Sequence, residues 1–420
     1  MKPNIIYSLI AAALSVLVFS CKKDFGNLNG PTVESYLGNA SASDLNNLVT
    51  GTESGMRNAI AFYLDDVSTI GREIYHFSAS EPRYVTDLLG ADAGTLSNSN
   101  FYITTPWAAA YRVVKNCNLL IDAAGHSTLI TDSEKHGYTG FARTIKAYQL
   151  LLNLNLTDSN GIRLDVSDPD HLGPIVSYDD ALTGILAQLD SGKTDLTGAT
   201  IDFQLSAGFA GFSDADGLIK FNRALAARVQ AYRGQWADVL TALGESFFGL
   251  NKPFNLGIYH TFSSASGDQL NPVFIPQNQA GDIRVAHPSY ATDILSGDDR
   301  ISKTPLRQNT ASLAGLSSNR DVFVYTSSTD PVTLIRNEEL ILLYAEASIQ
   351  TSQYPDAVTA LNVIRNGHNL APYAGALTSD ALIDEMLYER RYSLFFEGHR
   401  WVDLRRYNRL NELPIDRPND

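Results

Sequence analysis

Apolar residues return every three or four positions through long tracts of this chain, and the elements that this spacing predicts are nearly all helices. Phe141, Ile145, Tyr148 and Leu152 step by four, three and four, predicting a helix from about Ser133 to Leu156. Before it, Thr105 suits an N-cap and Pro106 a first turn, so Trp107, Tyr111, Val114 and Ile121 predict a helix that Gly125 closes. Leu45, Leu48, Met56 and Ile60 form a broken stripe from about Asp44 to Tyr63, and Asp65 to Thr105 reads as a loop-rich tract. A shorter helix carries Leu182, Ile185, Leu186 and Leu189.

Two helical hairpins follow. Phe221, Leu225, Val229 and Tyr232 turn at Gly234 into Trp236, Val239, Leu240 and Leu243; later, Leu340, Ile341, Tyr344 and Ala347 pair with Ala357, Leu361 and Ile364, Pro355 setting the second start. Neither member of such a pair buries its stripe alone, so the pairs are expected to stack as a tetratricopeptide-like, right-handed array, an α/α superhelix. Between Asn251 and Pro331 the pattern changes to Gly, Ser, Asn and Pro interleaved with Phe, Tyr and Ile, which predicts short strands and long loops. The expected fold class is therefore mainly α, with an inserted loop-rich subdomain containing short strands.

The run from Tyr388 to Tyr407, YERRYSLFFEGHRWVDLRRY, is too densely alternating in charge and apolarity for a simple solvated helix. Met386, Arg390, Leu394 and Glu397 share one helical face, which puts an arginine into a packed seam. Gly398 suits a left-handed helix end before a second short helix with His399, Arg400, Trp401 and Leu404. Buried charges persist mainly when paired, so the run is expected to be a structural clasp.

This run closely resembles the C-terminal signature of the SusD/RagB family, surface lipoproteins of Bacteroidota that capture nutrients for a TonB-dependent transporter. Three further segments agree in the family's order: WAAAYRVVKNCNLLIDA (Trp107 to Ala123), RNEELILLYAEASIQ (Arg336 to Gln350) and AVTALNVIRN (Ala357 to Asn366). The resemblance implies an N-terminal SusD-like helical region at 44–250, the inserted subdomain at 251–331 and a C-terminal SusD/RagB helical region at 332–420. It further implies a non-enzymatic protein that captures glycan or oligosaccharide and delivers it to a SusC-like TonB-dependent transporter by opening and closing as a lid. Peptide capture by the same scaffold is the alternative, and a surface glycosidase is a third reading.

The N-terminus points to export. Lys2 precedes an apolar stretch from Ile5 to Phe19, too short for a stable bilayer span and laid out as a secretory signal. Val18-Phe19-Ser20-Cys21 reads as a lipobox, making 1–20 a lipoprotein signal peptide and Cys21 the lipidated residue, with 21–43 as a tether. The expected location is the outer membrane, lipid-anchored and facing the cell exterior. The formal charge of -14, made more negative by loss of Lys2, disfavours nucleic acid and anionic lipid headgroups as partners. Cys117 remains as the single other cysteine and, among apolar neighbours, is expected to be buried and inert.

Catalytic motifs are not found. No two glycines are separated by a single residue, which excludes a G-x-G-x-x-G loop, and no phosphate cradle appears. Gly125-His126-Ser127-Thr128 lacks the closing glycine of a nucleophile elbow and reads as a helix-ending turn. The eight histidines are scattered, so neither metal nor cofactor is expected. Asp214-Ala215-Asp216-Gly217 reads as an N-cap turn before the Phe221 helix rather than a calcium loop. Asp65-Asp66 and Asp298-Asp299 are sequence neighbours, unlike the converging acids of a glycosidase, and are expected to be solvated turn residues.

Sugar recognition needs aromatic faces together with amides and guanidinium groups, which loops on a helical scaffold supply. The tract Ile74 to Thr105 holds Arg83, Tyr84, Asn98, Asn100, Phe101 and Tyr102, and SusD-like proteins commonly build the ligand site just before the helix that starts here near Trp107. These six are the expected ligand-binding residues, while Trp107 is expected in the core. Asn271, Phe274, Gln277 and Tyr290 in the later loops are the second candidate.

Overall fold

The computed structural model describes residues 38–90, 96–168, 170–418 and 420. The signal, the lipobox with Cys21 and most of the tether lie outside them.

Chain order begins with α1 (Ala42–Met56), α2 (Ile60–Ile70) and β1 (Ile74–Phe77), then α3 (Phe101–His126) and α4 (Asp132–Thr157). Next come β2 (Ile162–Arg163), β3 (Ile175–Val176), α5 (Tyr178–Leu196), α6 (Ala215–Tyr232) and α7 (Trp236–Gly244). The later loop region carries β4 (Gly257–His260), β5 (Ile283–Ala286), α8 (Pro288–Asp293), β6 (Leu306–Leu313), β7 (Leu316–Arg320) and β8 (Val332–Arg336). The chain closes with α9 (Asn337–Gln350), α10 (Tyr354–Gly367), α11 (Ser379–Ser393) and α12 (Arg400–Arg406). The architecture is mainly α, built from packed helical pairs, and each described strand belongs to a two-stranded antiparallel sheet.

Local signals explain the helix ends. Ser41 and Glu134's partner Thr131 close capping boxes at α1 and α4, and the Asp214 carboxylate accepts from the Gly217 N–H at 2.7 Å to cap α6. Ala59, at φ +62°, separates α1 from α2 and marks the break in the stripe from Asp44 to Tyr63. Gly398 takes φ +86°, as expected of the turn before α12. The main core joins α1 and α3–α7 to β8 and α9; close packing of α4 on α5 needs Gly140, where a Cβ would stand 2.6 Å from Leu196 Cγ and 2.9 Å from the Gly192 carbonyl. Cys117 is fully buried there, and burial pushes its thiol up to about 12.

Two expectations are corrected. Helix α3 begins at Phe101, six residues before Trp107, so Thr105 is not its cap and Pro106 lies a turn inside. The reason is the inward face itself: Tyr102, Pro106, Ala109, Ala110 and Val113 are buried at helical spacing, and the stripe starts earlier than the capping signal suggested. Asp65 and Asp66 are buried on α2 rather than solvated in a turn, and Asp298 is likewise buried, although Asp299 is exposed.

The C-terminal run forms the expected clasp. Arg390 Nε donates to Asp403 Oδ2 at 2.7 Å, Arg406 Nη2 to Glu346 Oε1 at 2.5 Å, and Arg336 Nη2 to Glu397 Oε1 at 2.9 Å. Arg300 binds both Asp298 (2.7 Å) and Glu389 (2.6 Å). The same segment reaches the N-terminal helices: Arg400 Nε donates to the Gly71 carbonyl at 3.0 Å and Arg405 Nη2 to the Asn155 carbonyl at 2.7 Å.

Candidate functional site

The loop between β1 and α3 is positioned from below by a charged column. His76 lies between Asp65 (3.2 Å) and Asp282 (2.5 Å), and Arg284 grips both oxygens of Asp65 at 2.5 and 2.8 Å. Burial opposes charge on His76, but the two carboxylates outweigh it and raise its pKa. The Asp65 carboxyl, pushed up by burial and pulled down further by Arg284 and His76, ends well below the usual carboxylate range. Asp66 is the opposite case: neither oxygen has a hydrogen-bond partner among the described residues, and burial beside Asp65 raises its pKa well above the ordinary carboxylate value.

On this column the Tyr84 ring stacks against His76, with centroids 3.9 Å apart, and meets Phe101 edge-on at 5.4 Å. The Tyr102 hydroxyl donates to Asp87 Oδ2 at 2.8 Å and accepts from Asn100 Nδ2 at 3.0 Å. Tyr84 and Tyr102 are only 6% and 0% exposed, enclosed with Leu88, Ile70 and Ile103. They were expected as exposed stacking faces, and burial corrects that: they are the floor on which the accessible residues stand, because Tyr102 falls on the inward face of α3 and the Pro82–Tyr84 turn folds Tyr84 under the loop.

Four of the six expected residues stay accessible. Arg83, its side chain 42% exposed, donates to Glu81 through Nε (2.7 Å) and Nη2 (2.6 Å) and lies 4.7 Å above the Phe101 ring. Its Nη1 also reaches Asn100 Oδ1 at 3.3 Å, and Asn98 is exposed two residues earlier in the same loop. Phe62, half-buried, packs edge-on against Phe101 at 5.9 Å. Phe62 escaped notice in the sequence because it lies within a helical stripe, outside the Ile74–Thr105 tract in which rings and amides were sought. The arrangement offers a guanidinium held over an aromatic ring with the Asn100 amide against it, and a second amide, Asn98, exposed on the same loop.

The second candidate set is divided. Asn271 Nδ2 donates to the Asp330 carbonyl at 2.8 Å and the Tyr290 hydroxyl to the Arg300 carbonyl at 2.9 Å, both buried in structural bonds. Phe274 is half-buried and Gln277 exposed. Trp107 is half-buried, its ring 4.8 Å from Tyr111, so the core assignment holds only in part. Among the described residues, no cluster of His, Cys, Asp and Glu is arranged to hold a metal ion.

Residues 315–415 match the sequence model of the SusD family. A curated relative, the SusD-like protein P38 of Formosa agariphila, is 36% identical over 91 residues; the match covers 20% of this chain and spans 18% of the relative's length. Among solved structures, a SusD superfamily protein from Bacteroides vulgatus superposes with a TM-score of 0.67 at 14% identity, covering 88% of this chain and 89% of that one. The surface glycan-binding protein A of Bacteroides thetaiotaomicron, solved in complex with laminarihexaose, superposes with a TM-score of 0.68 at 12% identity, covering 88% of this chain and 91% of that one. Residues 315–415 therefore carry the sequence pattern of the SusD family, and the fold over most of the chain is the one shared by SusD superfamily structures.

Proposed function

We propose that this protein is a non-enzymatic capture protein, lipid-anchored through Cys21 on the outer face of the outer membrane, that retains glycan or oligosaccharide and delivers it to a SusC-like TonB-dependent transporter. The observation that carries the reading is a fold shared over 88% of the chain with a surface glycan-binding protein solved with laminarihexaose. The loop face supports it locally: Arg83, Asn98, Asn100 and Phe101 combine a ring with planar hydrogen-bonding groups suited to sugar hydroxyls. Tyr84 and Tyr102 act beneath them as supports. The adjacent carboxylates weighed for glycoside hydrolysis favour binding over turnover, since Asp65 is held by Arg284 and Asp298 by Arg300. Among the described residues no helix is long and apolar enough to cross a membrane, and the reading assigns transport to the separate barrel.

The test is affinity electrophoresis in polysaccharide gels, with a parallel assay for released sugar. Phe101→Ala should lower affinity by about 0.5–1.5 kcal/mol, roughly 2- to 12-fold, beyond its lost contact area and without shifting the melting curve. Retention by no polysaccharide, or release of sugar by the purified protein, would overturn the reading. Mild detergent extraction should co-purify a TonB-dependent barrel in comparable amount; recovery of none would remove the delivery step.

A further inference from the structure

We infer that a 440 Å³ pocket within the helical array is a second ligand site, shaped for a short neutral saccharide. It shares no element with the loop face, and its chemistry stands whether or not that face binds glycan. Five helix ends converge on it. Tyr178 opens α5, Tyr232 closes α6, Trp236 opens α7, Gln350 closes α9 and Tyr407 caps α12.

The walls are fixed by bonds already made. Arg406 donates to Glu346 Oε1 at 2.5 Å and to the Ala231 carbonyl at 2.9 Å, and its guanidinium lies 5.0 Å from the Tyr232 ring. Tyr407 donates to the same Glu346 oxygen at 2.8 Å. A site held this way binds without first ordering its own side chains.

Other groups are left open to a ligand. The hydroxyls of Tyr178 and Tyr232 and the indole N–H of Trp236 have no hydrogen-bond partner among the described residues, yet none is sealed from solvent. The Gln350 amide makes one long bond, 3.4 Å to the Tyr407 hydroxyl. Aromatic faces with unpartnered donors at their edges match a pyranose, which has an apolar face and a rim of hydroxyls.

The lining also bears on other occupants. Ala231 and Val402 are its sole aliphatic residues, which leaves an aliphatic peptide side chain little to bury against. Glu346 offsets Arg406 and Asp158 stands 3.7 Å from Arg405, which reduces the positive field, while Arg233 is held by the Gln230 amide at 3.0 Å rather than by a carboxylate, so sulfate is the competing occupant that the titration has to exclude. The volume lies at the lower end of the range for small-molecule pockets, about 300–1,000 Å³.

Calorimetric titration of the full chain with glucose, galactose, mannose, xylose and the disaccharides of β-glucan, xylan and galactan tests the inference. Saturable binding of at least one is expected, weakened about three- to tenfold by Tyr178→Phe, which removes a single hydroxyl, and by Trp236→Phe, and unaffected by Phe101→Ala. Sulfate and a short peptide mixture serve as comparison probes, and stronger binding of either would overturn the assignment. So would binding that survives both substitutions, or that Phe101→Ala alone abolishes, the last placing all recognition on the loop face. Melting curves of both variants should match the parent; a fall in parallel with affinity would reassign the two residues to packing.

Discussion

Glu339→Ala should be among the most destabilising single substitutions in the chain. Glu339 on α9 accepts from Arg228 on α6 through both oxygens, Arg228 Nε to Oε1 and Nη2 to Oε2, each at 2.6 Å, and the side chains are 1% and 6% exposed. Burial alone would push the carboxyl up, but Arg228 and then His399 more than reverse this and bring it to about 2, against an ordinary value of 4.5. That displacement corresponds to about 3 kcal/mol at about 1.4 kcal/mol per unit. Removing one member of a buried pair typically costs about 3–5 kcal/mol, because the other charge is left buried without compensation. With an unfolding entropy of about 2.1 cal/mol/K per residue, the melting temperature should fall by roughly 3–6 °C. The sign with pH follows from the depressed pKa: the carboxylate's contribution is complete above about 4.5 and is lost as pH falls toward about 2. The assay is thermal unfolding of the parent, Glu339→Ala, Arg228→Met and the Arg228→Met/Glu339→Leu double variant. The double variant should be much less destabilised than Glu339→Ala, although it still gives up the bond from Arg228 to the Leu334 carbonyl at 2.9 Å. A loss under about 1 kcal/mol in the single variant, or a double variant as unstable as the single, would refute a buried pair of this strength.

Tyr102→Ala should destabilise by about 3–5 kcal/mol, as emptying a core ring position does, in contrast to Phe101→Ala; equal melting curves for the two would show that the floor and the surface have been misassigned. Burial holds the Glu73 carboxyl up at about 7, so its contribution is present below about 4.5 and is lost as pH rises through about 7; Glu73→Gln should flatten the stability profile across that window, and an unchanged slope would count against it. Asp214→Ala should cost about 1 kcal/mol through loss of the α6 cap, measured by denaturant unfolding, with no change being the contrary result. Cys21→Ala should leave the protein exported but not membrane-held, and a variant that still sediments with outer membrane in cells lacking the transporter would contradict the lipid anchor.

Periodicity located the helices that bury one stripe against another. Phe141, Ile145, Tyr148 and Leu152 mark α4 within a residue at each end, and the Phe221 and Trp236 stripes give α6 and α7 with the turn at Gly234. It failed where burial is nearly complete. Asp65 on α2 carries no apolar signal, yet it lies in the interior because Arg284 and His76 arrive from a strand more than 200 residues away in sequence and from the strand that follows, and Asp66 is buried beside it with no such partner among the described residues. The same limit explains the divided site. Arg83, Asn98, Asn100 and Phe101 were identifiable by residue type, but the burial of Tyr84 and Tyr102 depends on α3 starting early and on β1 pairing with β5, neither of which is a local property.

The segment that matches the family by sequence, 315–415, is also the segment that supplies the clasp. Its charged residues have little freedom to change, since Arg390, Glu346 and Asp403 are enclosed and each depends on a partner. An exposed loop residue such as Asn98 carries no such constraint. Sequence resemblance therefore reads the scaffold, while the residues we propose as ligand contacts lie in loops before α3 and at the helix ends around Trp236, where fewer buried partners constrain the side chain. A protein of this construction can keep one frame and exchange its ligand by changing surface rings and amides, and the affinity and stability effects of substitutions should separate along that line.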